Sequence, residues 1–182
     1  MKLNKIMLVA AMALGVSAFA NAATGDQGKG KVTFTGSIVS SPCSISADSV
    51  DQTVELGQIS SVVLGTGDGQ SKPRNFEIKL EQCKLDTPYG QNLVTVTFTG
   101  DEAPNRAGFL GISGTAAGAS IGLIDTASVP VVLGQPTKAY QLTNNNNTLR
   151  FAAFLKGDPG SAGGSIVEGD FTAVADFTLA YQ

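Results

Sequence analysis

The chain closes on Gly169-Asp170-Phe171-Thr172-Ala173-Val174-Ala175-Asp176-Phe177-Thr178-Leu179-Ala180-Tyr181-Gln182, and the parity of this stretch decides the fold. Phe171, Ala173, Ala175, Phe177, Leu179 and Tyr181 share one parity, while Thr172, Asp176 and Thr178 share the other. A period of two is the mark of a long β-strand with one buried face. A strand that runs to within one residue of the last position is expected to expose an edge whose backbone groups need a partner.

At the opposite end the sequence carries an export address. Lys2 and Lys5 precede an apolar run from Ile6 to Ala20, followed by the small-residue pattern Ala20-Asn21-Ala22. This is the order of a secretory signal spanning residues 1–22, with cleavage between Ala22 and Ala23. The run is shorter than the ~20 apolar residues a membrane-spanning helix needs. Removing 22 of the 182 residues leaves 160, the size of one domain, with 10 basic against 15 acidic groups. No basic patch remains to attract nucleic acid or an anionic membrane. In an exported chain the two cysteines, Cys43 and Cys83, are expected to form a disulfide. Closing a loop of about 40 residues stabilises a fold by roughly 4 kcal/mol in the chain-entropy picture. A zinc site is disfavoured, because the chain has no histidine to complete one.

Between these ends the sequence reads as short strands separated by turns. Lys31 to Val39 is rich in β-branched residues; Phe76, Ile78 and Leu80 alternate with Glu77, Lys79 and Glu81; Val94, Val96 and Phe98 alternate with threonines. Ile121–Ile124, Val129–Leu133 and Leu149–Leu155 are more apolar, as central strands are. Turns are expected at 65–69, 87–90, 111–118, 144–147 and 157–164, where glycine and asparagine accumulate. No stretch has helical periodicity. The pattern is that of an all-β sandwich.

Chemistry is sparse. Without histidine the common general base is missing, and with it the Ser-His-Asp and Cys-His arrangements. The run 65–69 lacks the Gly-Lys-Ser/Thr of a phosphate loop, and Asp101-Glu102 lacks the surrounding pattern of a calcium loop. The sequence therefore points to no enzyme, cofactor, metal or small-molecule substrate. Ala23 to Lys31, by contrast, is polar, glycine-rich and too poor in apolar residues to pack alone. It runs straight into Val32-Thr33-Phe34, and in an extended chain Gly28, Gly30, Val32 and Phe34 lie on one side. Two apolar knobs preceded by two bare positions suit an arm that enters another chain's groove.

Three stretches make a family resemblance specific: Lys31-Val32-Thr33-Phe34-Thr35-Gly36-Ser37-Ile38-Val39 with Pro42-Cys43-Ser44-Ile45, then Ser49 to Ile59, then Phe177 to Gln182. In this order they resemble the major rod pilins of chaperone-usher fimbriae, of the P-pilus and type 1 pilus kind. The resemblance implies an incomplete immunoglobulin-like β-sandwich lacking its last strand and completed by donor-strand exchange, the strand-addition mode for which chaperone–pilin complexes are a standard example. It further implies partners: other copies of the chain in a head-to-tail homopolymer, a periplasmic chaperone, an outer-membrane usher, and tip or adaptor pilins, in a fimbria on the cell surface that supports adhesion. By position, Gly169 and Tyr181 match the glycine and aromatic residue of the family's chaperone-recognition motif, and Gln182 carries the terminal carboxylate the chaperone holds. Residues 23–34 correspond to the donor arm and 35–182 to the sandwich domain, with Gly28 or Gly30 at the narrow part of the groove. A minor adaptor pilin and a stand-alone secreted adhesin are the alternatives. The chain has no tryptophan and three tyrosines, which is little for a sugar-binding pocket.

If the export reading holds, the mature protein begins at Ala23, and neither Cys43 nor Cys83 is alkylated before reduction. Mass spectrometry of the secreted chain checks both, and a free thiol at either position contradicts the bridge.

Overall fold

A computed structural model describes residues 29–66, 69–85, 91–160 and 165–182. The signal segment, the Ala22/Ala23 junction, Gly28, the turn at 87–90 and parts of the turns at 65–69 and 157–164 lie outside the described residues. The chain divides into two units, Met1–Ile38 and Val39–Gln182.

In the first unit none of the described residues 29–38 belongs to a helix or strand, and all are exposed. The strand expected over Lys31–Val39 is thus not formed. β-Branched residues favour the extended backbone, but a strand exists only where a ladder partner satisfies it.

The second unit opens with β1 (Ser44–Ile45), α1 (Ala47–Val50) and α2 (Ser61–Leu64), followed by β2 (Arg74–Cys83) and β3 (Leu93–Gly100). After β4 (Leu110–Gly111) and β5 (Ser113–Gly114) come β6 (Ala119–Asp125), β7 (Pro130–Val131), β8 (Tyr140–Gln141) and the long β9 (Asn145–Gly157). The chain finishes with β10 (Phe171–Thr172) and β11 (Ala175–Tyr181). The two helices are four residues each, too short for a 3.6-residue period to show in the sequence. The asparagine run 144–147, expected as a turn, mostly enters β9. Asn145 takes φ +77°, which asparagine tolerates, and Asn147 pairs with Leu80 while its Oδ1 accepts a hydrogen bond from Thr143 N at 2.9 Å.

The strands form a β-sandwich. One sheet has six strands, in the order β1-β2-β9-β6-β4 with β7 on β6, and a second has three, in the order β11-β3-β8. Alternation explains which residues lie between them. Ile78 and Leu80 of β2, Val94, Val96 and Phe98 of β3, and Leu149, Phe151 and Leu155 of β9 are all buried. Phe98 of the smaller sheet meets Phe151 of the larger edge to face, with centroids 5.0 Å apart, and Phe76 closes the cluster at 5.7 Å from Phe151. Cys43 and Cys83 are bonded, tying the chain before β1 to the end of β2.

The outer face of β9 is covered too. Phe154 packs edge to face on Phe109 at 6.1 Å, and both rings press on Gly122. A Cβ there would stand 2.5 Å from ring carbons of each, so any larger residue would have to displace the rings.

Tyr140 of β8 packs on Phe151 at 5.9 Å, and its buried hydroxyl has no hydrogen-bond partner. Burial first, and the Asp125 carboxylate second, push its phenol from 10.0 up to about 12. The folded state therefore holds this proton more tightly than the unfolded chain does. That contribution is intact below about pH 10 and is lost as pH rises through about 12. Tyr140→Phe is expected to leave neutral-pH stability nearly unchanged and to flatten the decline between those limits in alkaline unfolding followed by circular dichroism. Equal slopes in both proteins contradict this.

Candidate interaction groove

β11 pairs with β3 in antiparallel register: Phe177 faces Phe98, Leu179 faces Val96 and Tyr181 faces Val94. The ladder continues one residue further, where Gln182 and Leu93 exchange backbone hydrogen bonds of 2.9 and 3.1 Å. Because β11 ends its sheet, one of its two edges has no ladder partner among the described residues. The expected free edge is therefore present.

The closing stretch is not one continuous strand, however. Phe171–Thr172 pairs with Ser113–Gly114, Ala173 and Val174 lie outside any strand, and β11 starts at Ala175 on a different neighbour. Parity survives the break. Phe171, Ala173, Phe177, Leu179 and Tyr181 are each half-buried and packed against the core. Ala175 is a correction: it shares their parity but is exposed. The face is half-covered where a closed sandwich would bury it, because the core supports it from one side only.

Beside this face lies a groove of about 1010 Å³. One wall is the chain from Thr53 to Ser61, and the other runs from Ile166 to Ala173, with Ala119, Ile121 and Leu155 buried beneath. Ser61 Oγ donates to Glu168 Oε1 at 2.7 Å, linking the two walls. The lining is chiefly small or aliphatic, without the convergent polar groups that orient a small ligand. It suits a strand with alternating apolar side chains.

Gly169 has a structural reason of its own. Asp170 O accepts from Thr115 N and Ala116 N at 3.0 and 3.1 Å, which draws this backbone onto the 115–116 segment. A Cβ on Gly169 would stand 2.8 Å from Ala116 N. Tyr181 sits at the other end. Burial pushes its phenol above the ordinary value, and the Ser41 hydroxyl partly offsets the shift.

In the first unit the apolar side chains of the arm are exposed. Val32, Phe34 and Ile38 are 75%, 88% and 104% exposed. They share one parity with Gly30 and Gly36, so the apolar face extends past the expected knobs to Ile38, with a further bare position at Gly36. The signal for both residues was the same alternation that singled out Val32 and Phe34.

A free strand edge, a half-buried apolar strip and an exposed alternating arm on one chain are the marks of a subunit, and the sequence profile of fimbrial proteins matches residues 32–182. The chain belongs to the fimbrial protein family. It is 59% identical over 182 residues to the fimbria A protein of Serratia marcescens, covering the whole of both chains. Among solved structures, it matches a subunit of a chaperone-usher pilus with a TM-score of 0.75 and 36% identity, over 86% of this chain and 97% of that one. The P pilus rod subunit PapA matches with a TM-score of 0.69 and 32% identity, over 78% of this chain and all of that one. The immunoglobulin-like pilin fold expected from the sequence is thus the fold found, and the chain is a structural fimbrial protein rather than an enzyme.

Gly169→Ala is expected to push the Gly169–Asp170 backbone off residues 115–116 and to destabilise the fold by about 1–3 kcal/mol, the usual cost of overpacking. A lower denaturant midpoint with an unchanged slope checks this. A midpoint equal to that of the unsubstituted chain contradicts the close approach.

Proposed function

We propose that this fimbrial protein is the major rod subunit of a chaperone-usher fimbria and polymerises by donor-strand exchange. The observation that carries the reading is the free edge of β11 together with the half-buried strip that runs from Phe171 and Ala173 into Phe177, Leu179 and Tyr181 of β11. The arm of the next copy, with Val32, Phe34 and Ile38 turned inward and Gly36 between them, supplies the missing strand. If the inserted arm buries on the order of 500 Å² of apolar surface, the gain is roughly 12 kcal/mol before ordering costs. Backbone pairing along β11 satisfies donors and acceptors that otherwise face solvent. Arm and groove are different surfaces of one chain, so each copy donates to one neighbour and accepts from another. That head-to-tail contact does not close on itself and grows a filament.

An unfilled groove also exposes apolar surface and an unpaired edge, a template for aggregation. Delivery by a periplasmic chaperone to an outer-membrane usher answers this need. Gly169, Tyr181 and the exposed Gln182 are the residues at which the chaperone recognises the strand. Tip and adaptor pilins are the other neighbours, and the assembled rod stands on the cell surface and supports adhesion.

The triple variant Val32→Ser, Phe34→Ser, Ile38→Ser removes the apolar knobs without altering charge. The expected outcome is a chain that folds and is exported but yields no filaments by negative-stain microscopy. Filaments of normal length and number overturn the donor-arm reading.

A further inference from the structure

Resting on that reading, the charges around the groove carry a second inference about its occupant. The charged residues lining the groove are Glu55 on one wall and Glu168 and Asp170 on the other; no lysine or arginine lines it. All three carboxylates are exposed. The Glu168 carboxylate and the Asp170 backbone are held in place. Glu168 accepts the Ser61 hydroxyl across the groove, and the Asp170 backbone is anchored on both sides, with its N–H donating to Thr115 Oγ1 at 3.0 Å. Arg74 approaches the first wall at Gly57, where its Nη2 would lie 3.6 Å from an added Cβ, so the rim retains a net negative charge.

The arm has the opposite character. Across the arm, residues 23–34, two lysines, Lys29 and Lys31, stand against one acidic residue, Asp26, and from Lys29 to Ala47 there is no acidic residue. Both lysines lie on the parity opposite to Val32, Phe34 and Ile38. With the apolar face turned into the groove, the ammonium groups point outward, at the level of the rim.

We propose that the acidic rim formed by Glu55, Glu168 and Asp170 selects a cationic donor strand, and that Lys29 and Lys31 of a second copy are the charges it captures. Exposed ion pairs add little to equilibrium affinity. An acidic groove approached by a basic segment instead speeds encounter, and salt weakens the effect. The rim therefore acts on the rate at which a cognate arm enters and disfavours strands that carry acidic residues on their outward face.

The test uses fluorescent peptides spanning residues 28–40 mixed by stopped flow with the mature chain carrying the triple-serine arm. At low salt the natural peptide is expected to associate about tenfold faster than its Lys29→Glu, Lys31→Glu counterpart, in line with ordinary electrostatic steering. Dissociation rates are expected to match, and the advantage to vanish at high salt. On a chain that also carries Glu55→Lys and Asp170→Lys, the order of the two peptides is expected to reverse. Equal association rates at low salt, with both peptides binding, overturn the charge selection and leave the donor-arm reading standing. A Phe34→Ser peptide that binds as well as the natural one, or no binding by any peptide, overturns the donor-arm reading and this inference with it.

Discussion

The structure depends on one constraint: backbone hydrogen-bonding groups taken from water must be paired. β11 pairs along β3 from Ala175 to Tyr181 and has no ladder partner on its other edge among the described residues. The sandwich is accordingly lopsided, six strands facing three. The side chains of β11 that would be buried in a closed sandwich remain half-covered.

The unit is held by one core cluster that draws on both sheets. Phe76, Phe98 and Phe151 interlock between the sheets, Phe98 also meets Phe177 of β11 with centroids 6.4 Å apart, and the Cys43–Cys83 bridge restrains the start of the sandwich. Glycines serve close approach at two points. Gly122 accommodates two phenyl rings on the outer face of the larger sheet, and Gly169 lets one groove wall settle on residues 115–116. The second case matters for function, because a position that resembles part of a chaperone-recognition motif is also required by the chain's own packing.

In the proposed donor-strand assembly, shape and charge divide the work. The apolar strip and the free backbone edge supply affinity, since both gain only when a strand is fully seated. The carboxylates at the rim act earlier, at the distance over which charges are felt before contact, of the order of 10 Å in moderate salt.

Much of this was legible in the residues. Alternation in Phe76–Glu81, Val94–Thr99 and Phe171–Tyr181 identified β2, β3 and the closing strands with their inward faces, because a period of two is written directly in side-chain polarity. The cysteine pair and the apolar parity of the arm were equally plain. Other features were decided by neighbours. The sequence has no local mark for the break at Ala173–Val174, which arises because β10 and β11 pair with different strands. Nor could propensity show that Lys31–Val39 forms no strand, since a β-branched run is extended whether or not a ladder receives it. The acidic rim was likewise invisible in one dimension. Glu55 and Asp170 stand 115 positions apart and share a groove only because the two walls are brought together over Ile121 and Leu155. The sequence by itself determined which face of each strand is apolar, because that pattern is local. Only the tertiary structure decided which edge is left without a partner, because pairing belongs to the whole sheet.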